Sequence, residues 1–387
     1  VTGLPARSEV VVVGGGIVGL AVAYELARRG REVLLLDRND LRGVATHAAA
    51  GMLAPTSEAD LTDRPVVDLA LDSLGRYPEF VAGIEALAGQ SSGHRTEGTL
   101  WVALNRDQDG DLDRLSAMQR AKGLAARRLA PQEVLAREPH VSGRIVAGLL
   151  VQTDHQVDPR ALSAALETAI GRLRGRVAAG HRVTRVEHAA GRVKGVSGLA
   201  PDAAFRVAAD VVVLAAGIWS GDVEAPLPPL GLRPVKGQLL RLRGPELLTH
   251  VVRSPDVYLV PRHGGELLVG ATMEEQGLDA RPTAGAVLDL LREAWRLVPG
   301  VYDLSVSELS VGFRPAVRDH RPVIGATATR GLFVATGHFR DGVLLAPATA
   351  HYLAEWIAGG AAPAALAPFS VERLGAGAVE AAVPARR

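Results

Sequence analysis

Residues 9–38 read EVVVVGGGIVGLAVAYELARRGREVLLLDR, and the fold is decided there. Residues 10–13 are four valines, the composition of a strand buried on both faces. The run breaks at Gly14-Gly15-Gly16, and Gly14, Gly16 and Gly19 take the G-x-G-x-x-G spacing. Helical periodicity follows, with Ile17, Leu20, Ala21, Tyr24 and Leu26 on one broad face and Arg28-Arg29-Gly30 as the closing signal. A second apolar strand, residues 33–36, ends in Asp37. Strand, glycines, helix, strand and acid together form a βαβ dinucleotide fingerprint. Gly14 makes the tight turn, Gly16 lets the backbone approach a pyrophosphate, and Gly19 lets helix and strand pack closely. The phosphates belong at the positive end of the helix. Asp37 suits an adenosine ribose and disfavours a ribose phosphate. These residues alone leave FAD and NAD both open.

Composition narrows the classes. A chain of 387 residues has room for two domains with interleaved segments. Its 48% hydrophobic and 22% charged residues are those of a globular protein. A net charge of +1 supplies no field to draw nucleic acid or anionic lipid, so neither is an expected partner. The absence of cysteine removes disulfides, thiolate nucleophiles, iron–sulfur clusters and a cysteinyl flavin tether. His47, His155 and His263 show no metal-ligand spacing, and no metal site is expected. The first seven residues lead into the first strand without an apolar signal region, and no run has the length of a membrane span. The expected location is cytoplasmic.

Further along, residues 41–55 are rich in small side chains and read equally as a helix end or as a loop pressed against a flat ligand. An acidic helix start is expected at Ser57-Glu58-Ala59-Asp60. Residues 66–88 read as a helix interrupted near Tyr77-Pro78, and residues 111–123 as an amphipathic helix. A helix from Pro159 has Asp158 as its cap. The strand at residues 211–214 runs into Ala215-Ala216-Gly217, and tiny residues at the carboxyl end of a parallel strand are where a dinucleotide passes closest, which makes Gly217 a cofactor candidate. The proline-rich residues 226–234 suggest a crossing into a region of antiparallel strands with one helix, residues 283–298. A third apolar strand, residues 331–337, precedes a helix at residues 343–357. The tail after Gly359 reads as loosely ordered.

Several strings together carry a resemblance: AAAGMLAP (residues 48–55), PVKGQ (234–238), YLVPR (258–262), LLVGATME (267–274), GFRPA (312–316) and TGHFRDGVLLAPAT (336–349). In this order, from about Val10 to Gly359, the chain resembles the glycine oxidases. These are FAD-dependent amine oxidases of thiamine biosynthesis within the D-amino-acid oxidase superfamily. The resemblance implies an α/β fold in which a three-piece, Rossmann-like FAD-binding domain on a parallel sheet carries an inserted α+β substrate domain built on an antiparallel sheet. The implied FAD-binding pieces are residues 1–80, 144–222 and 318–366. The substrate-binding pieces are 81–143 and 223–317, and residues 367–387 are a tail. It also implies non-covalent FAD and a homotetramer. By this likeness Ile17 and Val18 line the pyrophosphate turn, and Asp37 with Arg38 meets the adenosine. Val183 contacts the adenine end, while Ala45, Thr46, Ala50, Gly51 and Met52 run beside the flavin. His338, Phe339, Arg340, Asp341, Gly342, Val343 and Leu344 close over its ring. A helix starting near Gly342 aims its positive end there, where reduced flavin carries negative charge.

On the substrate side the likeness places Arg314 as the clamp of a carboxylate, which its planar guanidinium fits in bidentate fashion. Tyr258 faces the same carboxylate. Arg340 is a second substrate-side arginine, acting through its backbone or as a gate, and Met52 and Met273 form the apolar wall. Where some glycine oxidases have a histidine two residues before the tyrosine, this chain has Asp256. The implied reaction is oxidation of glycine, sarcosine or D-alanine to the imine or keto acid, with O2 reduced to H2O2. A D-amino-acid or sarcosine oxidase or dehydrogenase, a non-catalytic FAD-binding subunit and an NAD-linked dehydrogenase are the alternatives.

Overall fold

In the computed structural model, residues 3–38, 44–56 and 63–374 are described. The valine run forms the strand Arg7–Val13, paired in parallel with Val33–Leu36 on one side and Ala204–Leu214 on the other. The sheet order is Val323–Ala326, Leu332–Thr336, Ala204–Leu214, Arg7–Val13, Val33–Leu36, Gly175–Ala178. All neighbours along it are parallel except the first pair. The strands Arg182–Ala189 and Arg192–Leu199 attach antiparallel beyond it. Val10, Val12, Val33 and Leu35 face the helices Ile17–Arg28, Arg64–Ala88, Pro159–Arg172 and Gly342–Gly359. Val11, Val13, Leu34 and Leu36 face a second core with Val186, Val196 and Val207. Alternate residues of one strand thus fill two cores, which explains why the run has no polar face.

The second sheet has eight strands, in the order Ser305–Ala316, Arg233–Arg243, Glu266–Gly270, Tyr258–Pro261, Val251–Arg253, Thr99–Ala103, Ala147–Val151, Ala126–Leu129. Leu240, Leu242, Leu259, Leu267 and Val269 point to one face, packed on Leu290, Ala294 and Leu297 of the helix Ala284–Leu297. Leu239, Val251, Val260 and Leu268 point to the other, against Ala50 and Met52. The period of two therefore aims half of this sheet at the loop that leaves the first. Arg160 ties the two together. It donates to Glu308 from both terminal nitrogens (2.8 and 2.6 Å) and, through Nε, to the His47 carbonyl (2.9 Å).

Four expectations are corrected. The helix Arg64–Ala88 runs through Pro78 unbroken, because Tyr77, Val81 and Ile84 are buried on both sides of the proline and hold it in register. The amphipathic helix begins earlier, at Arg106, where Asn105 caps it by accepting from the Gln108 amide at 2.9 Å. The second sheet is not wholly antiparallel, since Val251–Arg253 pairs in parallel with Thr99–Ala103. Residues 360–374 are not loose: Leu366, Phe369 and Val371 are buried, and Arg373 donates to Asp319 (2.9 Å) and to the Arg321 carbonyl (2.7 Å). The expected acidic helix start at 57–60 and the tail beyond 374 lie outside the described residues. Among the described residues, no helix is long and apolar enough to cross a membrane.

Candidate active site

One elongated cavity of about 390 Å³ runs from the glycine turn to the second sheet. At its first end Gly14 has φ +112°, and a Cβ there would lie 2.5 Å from the Ala215 carbonyl oxygen. A Cβ on Gly19 would fall 1.9 Å from the Gly14 oxygen, so Gly19 serves packing and does not line the cavity. Gly16 caps the helix Ile17–Arg28 without a side chain, and a Cβ added there would meet Thr46 Oγ1 at 3.6 Å. Thr46 Oγ1 accepts from the Ile17 amide (3.0 Å), which ties the small-residue loop to the helix start. The Asp37 carboxylate accepts from the Gly15 amide at 2.6 Å. Arg38 lies 3.6 Å over the ring of Trp219, and burial pulls its pKa down. Gly217 and Val183 complete this end. Trp219 is not marked in the sequence, because nothing local shows it as the platform for an arginine that follows the strand Val33–Leu36.

The middle is walled by Ala45 and Thr46 of a short helix, Val44–Ala48, and by Ala50, Gly51 and Met52 after it. Both sequence readings of this segment are thus partly realised. Arg262, buried at 7% exposure, braces the loop from behind. Its Nη2 donates to the carbonyls of Ala50 and Val157 (2.9 Å for the latter), and Nη1 to Gln156 Oε1 at 2.5 Å. Burial brings its pKa to about 10. YLVPR was legible as a string, but only the fold shows what its arginine holds.

Opposite stands the helix Gly342–Gly359, whose first residues Gly342 and Val343 line the cavity. Pro347 has no N–H for the Val343 carbonyl four residues back. The Tyr77 hydroxyl donates to that carbonyl instead, at 2.5 Å. One position on, the Ser73 hydroxyl donates to the Leu344 carbonyl (2.6 Å) and accepts from the Ala348 amide (3.1 Å). The helix start is therefore braced by Arg64–Ala88 despite its proline. The Leu344 side chain points into the core, and neither it nor Asp341 lines the cavity. His338 is buried against Thr349 Oγ1 (3.1 Å), and burial lowers its pKa to about 3, so it is neutral. Phe339 stacks on His320 at 4.7 Å, and Arg340 lines the cavity beside it.

At the far end three glycines allow close approach, two of them to large side chains. A Cβ on Gly237 would lie 2.5 Å from Arg314 Nη1, and one on Gly270 2.4 Å from the Tyr258 ring. A Cβ on Gly312 would lie 2.7 Å from Ala48 Cβ. The Arg314 guanidinium lies over Gly237 and donates from Nη1 to the Thr272 carbonyl (3.1 Å) and the Lys236 carbonyl (3.4 Å). Behind this wall is a buried polar network. Lys236 Nζ donates to the Arg281 carbonyl (2.7 Å), and Gln238 donates to Glu274 (2.7 Å). Met52 is half-buried on the wall, whereas Met273 is 62% exposed at the mouth. Asp256 is also at the mouth, exposed, and accepts from Gln108 at 3.4 Å. Among the described residues no cluster of three ligating side chains could hold a metal.

A glycine turn at a helix start, joined by one cavity to a sheet wall bearing a held arginine, defines a dinucleotide-dependent oxidoreductase. The chain belongs to the family described as FAD dependent oxidoreductase, whose model matches residues 9–356. It is 33% identical over 376 residues to the glycine oxidase of Geobacillus kaustophilus strain HTA426, covering 95% of this chain and 97% of that one. The solved glycine oxidase structure from Geobacillus kaustophilus superposes with a TM-score of 0.87 at 32% identity, over 95% of this chain and 99% of that one. The bifunctional protein ThiO/ThiG of Trichormus variabilis is 35% identical over 358 residues, 90% of this chain. This chain spans about half the length of that relative, 52%.

The residues present fit FAD. The turn at Gly14 and Gly16 admits only glycine at the first position and leaves the second open to the cavity. The cavity also continues past the dinucleotide turn, along backbone of small residues, to a second helix N-terminus.

Proposed function

We propose that the protein oxidises glycine, together with small amines such as sarcosine or D-alanine, to the imine or keto acid, with O2 reduced to H2O2, and that it serves the thiazole branch of thiamine biosynthesis. One observation carries the reading. Arg314, spaced by Gly237 and tethered through one terminal nitrogen, shares a wall with Tyr258 in the cavity that begins at the dinucleotide turn. Supporting it are the likeness to glycine oxidases along nearly the whole chain and the family membership.

FAD, when bound, would supply two-electron acceptance as the substrate Cα–H and N–H bonds break and its C–N bond becomes C=N, with O2 as the final acceptor of the two electrons and two protons. The residues that would hold it are Gly14, Gly16, Ile17, Val18, Asp37, Arg38, Ala45, Thr46, Ala50, Gly51, Met52, Val183, Gly217, His338, Phe339, Gly342 and Val343. Arg314 and Tyr258 take the substrate carboxylate, which fixes the α-carbon against the middle of the cavity. The helix start at Gly342 favours added negative charge at that end. Neutral His338 adds no competing charge there. No side chain is assigned as a general base, so positioning and electrostatics supply the rate. Arg340 and Met273 form the outer wall.

The test is the visible spectrum of the purified protein before and after anaerobic glycine. A flavin band that bleaches faster with glycine than with D-alanine supports the proposal. Bleaching only with bulkier D-amino acids refutes the substrate, and a band that no amine bleaches refutes the activity. A homotetramer is proposed from the family likeness, and light scattering at the mass of a monomer would refute it.

A further inference from the structure

We propose that Thr272 is the positioning residue of the Arg314 clamp: its side-chain hydroxyl takes a ladder bond that its carbonyl would otherwise accept, which leaves the carbonyl to the guanidinium. The inference rests on the carboxylate-clamp reading above and deepens it. The strand Glu266–Gly270 ends before Thr272, yet the chain stays beside the strand Arg233–Arg243. Lys236 and Glu274 exchange both backbone hydrogen bonds, each at 2.9 Å. In an antiparallel ladder the next pair to do so lies two residues along, which here is Gln238 with Thr272. Half of that exchange is made, since the Thr272 amide donates to the Gln238 carbonyl at 3.2 Å. The other half is diverted. The Gln238 amide donates to Thr272 Oγ1 at 2.9 Å in place of the Thr272 carbonyl. That carbonyl accepts from Arg314 Nη1 at 3.1 Å.

The hydroxyl is itself held. Thr272 Oγ1 donates to Glu274 Oε1 at 2.5 Å, and the same carboxylate oxygen accepts from Gln238 Nε2 at 2.7 Å. Gln238 is fully buried, and its Oε1 accepts from the Thr283 amide (2.9 Å) at the start of the helix Ala284–Leu297. The hydroxyl thus accepts one bond and donates one, and both stay within the wall. The second acceptor of Arg314 belongs to the same assembly, because the Lys236 carbonyl takes the Glu274 amide at 2.9 Å and Nη1 at 3.4 Å. The direction of the guanidinium therefore depends on a hydroxyl two bonds removed from any substrate. A buried amide left without an acceptor is costly. Without the hydroxyl, the Gln238 amide turns to the acceptor the ladder supplies, the Thr272 carbonyl. Closing the ladder draws that oxygen toward Gln238 and away from Arg314.

The test uses the FAD-loaded full chain. Acetate, which has the carboxylate but no amine to oxidise, is titrated against the flavin absorbance band, and glycine kinetics are measured on the same preparations. Thr272→Val is expected to bind acetate about fivefold or more weakly and to raise the Michaelis constant for glycine by a similar factor, with kcat changed less than about twofold. Thr272→Ser keeps the hydroxyl and should recover most of that affinity. In the Arg314→Met background, Thr272→Val should cost nothing further, because the hydroxyl acts only through the arginine. Unchanged acetate binding in Thr272→Val overturns the inference. So does a loss of the same size in the Arg314→Met background, which marks a general loosening of the wall. Should Thr272→Val fail to fold, Thr272→Ala makes the same deletion, and Thr272→Ser decides by itself, since affinity lost with the hydroxyl in place refutes the role. A loss in Arg314→Met with none in Thr272→Val sinks this inference alone, whereas an Arg314→Met protein that binds acetate normally sinks the clamp reading.

Discussion

Replacing Gly237 by alanine adds one methyl group at the point where the Arg314 guanidinium rests. The added Cβ would stand 2.5 Å from Nη1 and 2.7 Å from Cζ and Nη2, well inside contact distance. Gly237 lies in the strand Arg233–Arg243 and is not among the residues with positive φ, so alanine is acceptable to the backbone itself. The movable partner is the far end of a long side chain, so the guanidinium yields and its bonds to the Thr272 and Lys236 carbonyls break. A charge-assisted hydrogen bond to a substrate carboxylate contributes about 1.5–3 kcal/mol. Its loss corresponds to about a 10- to 150-fold rise in the Michaelis constant for glycine. FAD content should not change, because Gly237 lies at the substrate end. The assay is steady-state glycine oxidation beside the flavin-to-protein absorbance ratio, with Arg314→Met measured in parallel. A Gly237→Ala protein that keeps its Michaelis constant while Arg314→Met loses its own would refute the placement of the clamp over this glycine.

Three further outcomes are expected. Arg262→Met leaves the buried carbonyls of Ala50 and Val157 without a donor, at about 1–3 kcal/mol each, so FAD should be retained more weakly; an unchanged flavin dissociation constant would separate Arg262 from the cofactor wall. His338 is neutral when folded, with its pKa lowered from 6.5 to about 3, so between those values the unfolded chain binds the extra proton. Its contribution is therefore complete above about pH 6.5 and declines as pH falls toward 3, by up to about 1.4 kcal/mol per pH unit, and His338→Gln should flatten the fall in melting temperature between neutral and mildly acidic buffer. Phe369→Ala should cost about 3 kcal/mol in urea unfolding, since the ring is 1% exposed; an unchanged midpoint would return this segment to the loose tail that composition suggests.

Sequence by itself determined the βαβ start, because each of its signals is local. A valine run, a glycine spacing, a helical period and an acid sit within thirty residues, and hydrophobic periodicity and backbone sterics act at that range. The strand into Ala215-Ala216-Gly217 and the Asp158 cap were legible for the same reason. The strings holding Arg314 and Tyr258 stood out through their likeness, and both residues line the cavity. What only the tertiary structure decided involves partners far apart in the chain. Pro78 looked like a break because the cost of a proline is local, while the burial of Tyr77 and Val81 that outweighs it comes from other helices. Arg262 and Trp219 carry no local mark; one is defined by carbonyls over a hundred residues away, the other by Arg38, far earlier in the chain. The strand Val251–Arg253 is three residues long, too short for alternation to show, yet it sets Arg253 beside Tyr258. Gly237 shows the divide most clearly. Its string suggested a family, but the reason for glycine is an arginine 77 positions later in sequence (314 − 237), lying across the adjacent strand.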